Sequence, residues 1–385
     1  MVPNRFFAVL RLAGMNLKFS FLLIAALAAC VARSGASSKP VYLSDQRIET
    51  LKQRIANKVE PNYSAWLELQ KEADAALALE TLVPEKYFTL SPYKFPDKQD
   101  EIKKASTFGR DCHAVFRLAV AYRITGDEKY AAAAVRLLNA WVTGLKAIDA
   151  KQSNTSLSIS GGFPNFLIAA DLLKKSPSFS QADQDRFRAF VKNVVLSSDS
   201  AGLCMKRTNN WANFGVLLAL TAGIYLDDPA LYQKGIARWK ALVESQISAD
   251  GTLHEEVTRP GGKDKSPGLM GLWYSNFTLL PATFGAEVAR INGTDLYGYV
   301  SPSGKNLRMA YEKLVPWLKD PATFPYYKGD IKNLIGVHHY PYFEMLVPRW
   351  PNPDAQAMLR AHRPVKTNHC IPDTTFTHGD LPADR

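Results

Sequence analysis

Cysteine is scarce in this chain of 385 residues, which contains only four. A small fold held together by disulfides needs a denser cysteine framework, so that class of protein is excluded. Cys30 ends an apolar N-terminal run, whereas the spacings of Cys112, Cys204 and Cys370 fit no zinc-binding pattern. These last three thiols allow at most one disulfide, and we expect none of them to take part in chemistry.

The motifs of several common enzyme classes are also missing. The chain has no glycine-rich phosphate loop after a strand, no Gly-x-Ser-x-Gly turn and no His-Glu-x-x-His pair. His338 and His339 are adjacent rather than at the helical spacing of metal ligands, and no acidic loop of the EF-hand type is present. We therefore expect no metal and no cofactor.

The first thirty residues differ from the rest of the chain. An apolar run from Phe19 to Ala29 follows Lys18 and is too short to anchor the chain across a bilayer. A positive start, a short apolar run and small residues before the boundary predict a secretory signal. Leu-Ala-Ala-Cys, ending at Cys30, also resembles the bacterial lipobox, whose cysteine carries lipid. We expect residues 1–30 to be a lipoprotein-type signal peptide and residues 31–40 a tether.

This signal predicts export to the periplasm or outer membrane of a Gram-negative bacterium, with membrane contact only through lipid on Cys30. The formal charge of +11 falls to +8 without the signal, because residues 1–30 contain three basic residues and no acid. A basic protein favours an acidic partner. Since the positive residues are scattered and the chain is exported, we expect an anionic polysaccharide rather than nucleic acid.

Few segments alternate with period two, so any β-sheet should be minor. Apolar residues between 115 and 122 and between 130 and 141 recur with helical spacing around a turn at Gly126. The same pattern predicts helices at 163–173, 181–196, 213–226, 231–247, 272–291, 306–317 and 353–362. Successive antiparallel hairpins predict an all-α fold over residues 41–366, an incomplete (α/α) toroid, with an irregular helical bundle as the alternative. Residues 367–385 look like a loosely packed tail.

Two polar clusters are candidates for a site. The first contains Asn209, Asn210 and Asn213 at the start of a strongly apolar helix, and three Asn exceed what one helix cap requires. The second runs from Asp250 to Arg259, followed by a Gly/Lys/Pro-rich loop and an aromatic segment around residue 274. Capping, solvated charge and core packing would each explain single residues in these clusters.

Together, the clusters carry a resemblance to a known family. An Asn-Asn pair opening a helix, then Asp-Gly-x-Leu-x-x-Glu-x-x-Arg, then Tyr-x-Asn-Phe, resembles the alginate lyase superfamily of α/α-toroid enzymes. The run Ala-Tyr-Arg-Ile-Thr-Gly-Asp-Glu-Lys-Tyr within 119–141 is similar to a helical hairpin of that family, so the similarity spans most of 106–291. The resemblance implies β-elimination of a 4-linked uronate polymer such as alginate, with glucuronan as the next candidate.

The resemblance also implies roles for particular residues. Asn210 would neutralise the substrate carboxylate, Arg259 would supply positive charge and Tyr274 would transfer a proton. The alginate-specific branch usually has histidine where this chain has Trp211, so an imidazole would have to come from His254 or His113.

Further residues complete the expected site. Asn209, Trp211, His113 and Glu256 are expected to bind substrate. Two other functions stay open from the residues alone. One is a glycoside hydrolase using Glu255 or Glu256 with Asp171 as a carboxylate pair. The other is a surface lipoprotein that binds glycans without catalysis.

Overall fold

A computed structural model of the protein describes residues 39–84, 86–90, 99–151, 153–261 and 264–379. The predicted signal peptide and nearly all of the predicted tether lie outside these residues. The first helices are α1 (Asp45–Ala56), α2 (Asn62–Ala76), α3 (Gln99–Thr125), α4 (Glu128–Gly144), α5 (Ser153–Gly162), α6 (Pro164–Leu173), α7 (Gln181–Phe190) and α8 (Ser200–Met205). The later helices are α9 (Trp211–Tyr225), α10 (Pro229–Gln246), α11 (Gly271–Ile291), α12 (Leu307–Lys319), α13 (Phe343–Leu346), α14 (Pro353–His362) and α15 (Thr374–His378). Two short parallel strands, β1 (Lys86–Phe88) and β2 (Leu145–Ile148), form the minor sheet.

The helices pack as two layers. Helix α3 packs against α6, α6 against α9, and α9 against α11, which gives an inner row of helices. Helices α4, α10 and α12 pack against α3, α9 and α11 respectively from outside. Inner helix α9 is apolar on all sides and nearly all of it is buried, as expected for a helix surrounded by others. The prediction of an all-α toroid of helical hairpins is confirmed.

The apolar stretch Asn154–Leu173 has the length and hydropathy of a membrane span, but it is divided between α5 and α6 and most of it is buried in the fold. The predicted helix at 181–196 is irregular, because α7 ends at Phe190 and a wider π-helical segment, Val191–Leu196, continues it. Helix α9 begins at Trp211 rather than at residue 213, so Asn213 is a buried helix residue that donates a hydrogen bond to Gln246 (2.9 Å).

The prediction of a loosely packed C-terminal tail is wrong for residues 367–379. Helix α15 is completely buried and packs against α2, where the Asn62 amide donates hydrogen bonds to the carbonyls of Thr375 (3.3 Å) and Phe376 (2.7 Å). Arg117 of α3 forms an ion pair with Asp373 (2.7 Å) just before α15. These contacts hold residues 367–379, here called the C-terminal segment, on the helical body. Sequence patterns missed this because the segment is too short and polar to show helical periodicity.

Buried Glu287 of α11 joins the same segment to the helices. Arg290 donates two hydrogen bonds to its carboxylate (2.7 and 3.1 Å), and the His378 ring lies 3.4 Å away. Burial opposes ionisation, but the hydrogen bonds from His378 and Arg290 hold the pKa of Glu287 far below its usual value. The carboxylate is therefore ionised and ties α11 to the end of α15.

Candidate active site

The inner helices and the C-terminal segment enclose a cavity of about 640 Å³, here called the central cavity. Its lining comes from the start and body of α9, from α3, α5 and α11, from the loop before α11, from Ile335 and from residues 368–370. The polar and aromatic side chains that line it include His113, Ser158, Asn210, Trp211, Arg259, Trp273, Tyr274, Phe277, Asn368 and His369. Among the described lining residues none is Asp or Glu, and Arg259 is the one Arg or Lys.

Asn210 lies at the start of α9 and is fully buried. Its backbone N–H and its side-chain Nδ2 both donate to Oε1 of Glu256, at 2.7 and 3.1 Å. Its Oδ1 atom is buried without a hydrogen-bond partner in the described structure. Glu256 holds this amide in place. The amide nitrogen has a second N–H besides the one that bonds Glu256, so the side chain keeps a donor as well as an acceptor beside the cavity.

Glu256 holds Asn210 from behind and does not line the central cavity. It is 2 % exposed, and Thr278 donates a further hydrogen bond to its Oε1 (3.3 Å). Burial raises the pKa of Glu256, although the Asn210 N–H and the Arg259 guanidinium, 3.7 Å away, act in the opposite direction. The prediction that Glu256 binds substrate directly is wrong, because Asn210 lies between this carboxylate and the cavity.

Arg259 lies in the loop before α11, and Tyr274 lies in the first turn of α11. The Arg259 guanidinium lies over the Tyr274 ring, 4.1 Å from its centroid, and both side chains are partly exposed to the cavity. A cation over an aromatic face is attracted to it and also orients it. The structure therefore brings together Asn210, Arg259 and Tyr274, three of the four residues predicted to carry the chemistry.

Asn209 and Trp211 have different positions although they are close in sequence. The Asn209 side chain accepts a hydrogen bond from the Trp211 N–H (3.3 Å) and does not line the cavity, so its structural role is to pair the first backbone N–H of α9. Trp211 lines the cavity, and the Arg207 guanidinium lies 5.3 Å from its ring centroid. Contact with substrate therefore stays a prediction for Trp211, which lines the cavity, whereas Asn209 lies outside it.

His254 does not reach the central cavity. Leu253 is buried and pairs with Ile247 in an isolated antiparallel bridge, so the next side chain projects to the other side. His254 is exposed and its ring lies 3.4 Å from the Ser248 hydroxyl. The imidazoles that line the cavity are those of His113 and His369.

His369 was missed by the sequence analysis, since it lies in the supposed tail outside every recognisable motif. Its ring meets Phe277 edge-on at 4.8 Å and Trp273 at 5.6 Å. Burial lowers the pKa of His369 to about 4, and burial together with Arg117 lowers that of His113 to about 4. Both rings are therefore uncharged near neutral pH.

The carboxylates proposed for a glycoside hydrolase are not brought together at this cavity. Asp171 accepts a hydrogen bond from the Val41 N–H (2.9 Å) and pairs with Lys174 (2.8 Å), and exposed Glu255 accepts one from Thr208 (2.9 Å). Neither residue lines the cavity. Cys112, Cys204 and Cys370 are buried free thiols, and no group of three potential metal ligands is found in the described part of the chain.

Comparison with known proteins agrees with this architecture. The family model for alginate lyases matches residues 42–324. A polysaccharide lyase from Stenotrophomonas maltophilia is 32 % identical over 124 residues, which is 32 % of this chain and 34 % of that protein. The match therefore spans about a third of that relative's length. An alginate lyase from Pseudomonas syringae pv. tomato is 23 % identical over 70 % of both chains.

Solved structures show the same fold. An alginate lyase from Bacteroides ovatus superposes with a TM-score of 0.69 at 20 % identity, covering 90 % of this chain and 100 % of the other. At this level of identity the likeness establishes the fold.

Proposed function

The chain belongs to the alginate lyase family, and from that premise we propose that it cleaves a 4-linked uronic-acid polymer by β-elimination. Cleavage would leave a 4,5-unsaturated uronate at the new end. The observation that carries this proposal is the composition of the central cavity, which combines Asn210, Arg259 and Tyr274 and has no Asp or Glu among its described lining residues.

Such a lining suits a polyanion and does not suit hydrolysis. Glycosidases of the usual type place two carboxyl groups on either side of the scissile bond. Carboxylates in the cavity would also repel a uronate, whereas the Arg259 guanidinium attracts it. The buried carboxylate of Glu256 is shielded behind Asn210 and offers no such group to substrate.

The proposed reaction needs charge neutralisation, a base and an acid. The second N–H of the Asn210 amide nitrogen and the Arg259 guanidinium would donate hydrogen bonds to the carboxylate at C5, so that negative charge can develop on that group as the C5 proton leaves. The electron pair of the C5–H bond forms the C4=C5 double bond, and the C4–O4 bond breaks. The Tyr274 hydroxyl would give its proton to O4 and later regain one from solvent.

The polymer is the finer part of the proposal. Alginate, and within it polymannuronate, is the leading candidate because the Pseudomonas and Bacteroides relatives are alginate lyases. Glucuronan is the second candidate, since Trp211 stands where the alginate-specific branch usually has histidine. The basic composition of the chain and the signal sequence predicted at its N-terminus support an exported enzyme that meets this polymer in the periplasm or at the outer membrane, anchored there by lipid on Cys30.

The test is a panel of polymannuronate, polyguluronate, glucuronan and hyaluronan, followed by ultraviolet absorbance of unsaturated ends and by reducing ends. We expect both signals to rise in equal molar amounts on at least one uronan. Reducing ends without ultraviolet absorbance would indicate hydrolysis and contradict the proposal. Binding of the polymers without either signal would favour a non-catalytic glycan-binding protein.

A further inference from the structure

The reaction proposed above leaves one role unfilled, that of the group that accepts the C5 proton. Tyr274 lies against the Arg259 guanidinium, and we assign it to the leaving oxygen. Two imidazoles line the central cavity, His113 from α3 and His369 from the C-terminal segment. An uncharged imidazole is a suitable proton acceptor, provided that the nitrogen with the free lone pair faces the substrate.

Hydrogen bonding fixes which nitrogen of His113 carries the proton. The ring Nε2 lies 3.2 Å from the carbonyl oxygen of Cys370. A carbonyl oxygen only accepts hydrogen bonds, so in the uncharged ring Nε2 must carry the hydrogen and Nδ1 must carry the lone pair. No described residue is hydrogen-bonded to Nδ1.

The carbonyl of Cys370 is itself held in position. Fully buried Asn165 donates a second hydrogen bond to it (2.9 Å) and donates another to the Gly162 carbonyl (3.1 Å). Cys370 adopts a left-handed backbone conformation with φ of 56°, which is uncommon for a residue other than glycine. Such conformations persist where the surroundings enforce them and are frequent at functional sites.

We propose that His113 is the catalytic base, its Nδ1 accepting the C5 proton of the uronate while the Cys370 carbonyl holds the ring in the required tautomer. Cys370 and Asn165 are then positioning residues. The inference rests on the proposed function and completes it. The proton moves from C5 to Nδ1, the C4=C5 double bond forms, the C4–O4 bond breaks, and O4 takes the proton of Tyr274.

The charge state of the ring agrees with this role. Burial and the nearby Arg117 lower the pKa of His113 to about 4, so the ring is uncharged before substrate arrives. A bound uronate brings a negative carboxylate into the cavity, which stabilises the imidazolium and raises the pKa of the ring. The base is therefore free in the empty enzyme and becomes stronger when substrate binds.

The main test is His113→Gln. The Gln amide nitrogen can still donate to the Cys370 carbonyl, but the side chain has no basic nitrogen. We expect kcat on the best uronan to fall at least about a hundredfold, the usual contribution of a general base, with little change in melting temperature. The acid limb of kcat/KM, expected near pH 4 in the wild type, should disappear. In His113→Ala, added imidazole should restore part of the activity.

Two other histidines provide controls. His369→Gln removes the second cavity imidazole and should reduce kcat much less than His113→Gln. His362→Gln removes an exposed imidazole that contacts Tyr340 outside the central cavity and should leave activity unchanged. If His369→Gln loses activity while His113→Gln retains it, His369 is the base and the proposal is contradicted.

The outcomes also separate this inference from the proposed function. A wild-type protein that produces unsaturated ends, with His113→Gln active within about threefold, would contradict the role of His113 alone. A wild-type protein that cleaves no uronan would contradict both. Nitrogen NMR of the His113 ring gives a readout apart from activity, and protonation at Nδ1 rather than Nε2 would overturn the assignment.

Discussion

Glu256 shows how one carboxylate can serve a site that it does not touch. Its Oε1 accepts hydrogen bonds from the backbone and side chain of Asn210, so it fixes the amide that faces the cavity. Because the residue is buried, the uncharged acid is favoured and its pKa is raised. The ionised form therefore costs stability at neutral pH.

This leads to a prediction for Glu256→Gln, which keeps an oxygen acceptor for Asn210 but cannot ionise. A group whose pKa is raised in the folded state contributes its full stabilisation at pH values below its unfolded pKa. That contribution is lost as the pH rises through the pKa of the group in the folded state. The free energy of unfolding of the wild type relative to Glu256→Gln should therefore fall between pH 4 and pH 7. Each unit of raised pKa is worth about 1.4 kcal/mol.

Urea unfolding of both proteins at several pH values measures this difference. A relative stability that is constant or rises with pH would show that the Arg259 contact outweighs burial. Mutation of Thr278 to Val, which removes only the weakest of the donors to Glu256, is the matched control and should leave the pH dependence in place.

Sequence motifs predicted part of the site at this scale. Asn210, Arg259 and Tyr274 belong to motifs that resemble those of a known family, so their convergence at one cavity could be predicted before their geometry was known. The direction of a side chain depends on local backbone geometry, and for that reason His254 and Glu256 were placed wrongly. Asn209 accepts a hydrogen bond from the first backbone N–H of α9, a local role that Asn often has at the start of a helix.

At the scale of elements, the C-terminal segment is the part of the fold that differs most from the prediction. It supplies His369 and the Cys370 carbonyl to the cavity, and it is held by Asn62 of α2 and Arg117 of α3. Long amphipathic helices such as α4 and α10 were predicted from their apolar spacing. A five-residue helix has too few turns for such a signal, and its burial arises from tertiary contacts.

We predict that Arg117→Met undocks this segment. Asp373 is almost fully buried, and removing its partner leaves an uncompensated carboxylate, a loss of typically about 3 to 5 kcal/mol. The free energy of unfolding should fall by that order, and kcat should fall with it because Cys370 and His369 lose their support.

Lys366→Met is the matched control, because Lys366 lies directly before the C-terminal segment. Lys366 pairs with Glu68 and Glu72, but all three side chains are substantially exposed, and such pairs are worth less than about 1 kcal/mol. Its loss should change stability and kcat little. If the two substitutions change the free energy of unfolding and kcat equally, the special role of the Arg117 contact is contradicted.

At the scale of the whole molecule, hairpin periodicity was enough to predict a toroid of paired helices. It could not predict how the C-terminal segment packs against α2 and α11. That packing depends on hydrogen bonds from Asn62 to the C-terminal segment and on Glu287 with Arg290 and His378, which are long-range contacts without a sequence period. The cavity exists because this packing brings residues 368–370 against α3, α9 and α11.

The central claim is that Asn210 and Tyr274 carry out elimination in this cavity. It is tested most directly by the initial rate of unsaturated-end formation on the preferred uronan, compared among the wild type, Tyr274→Phe and Asn210→Ala. We predict that each variant loses at least about a hundredfold in kcat while its melting temperature stays within a few degrees of the wild type. Near-wild-type rates in both variants would contradict the account.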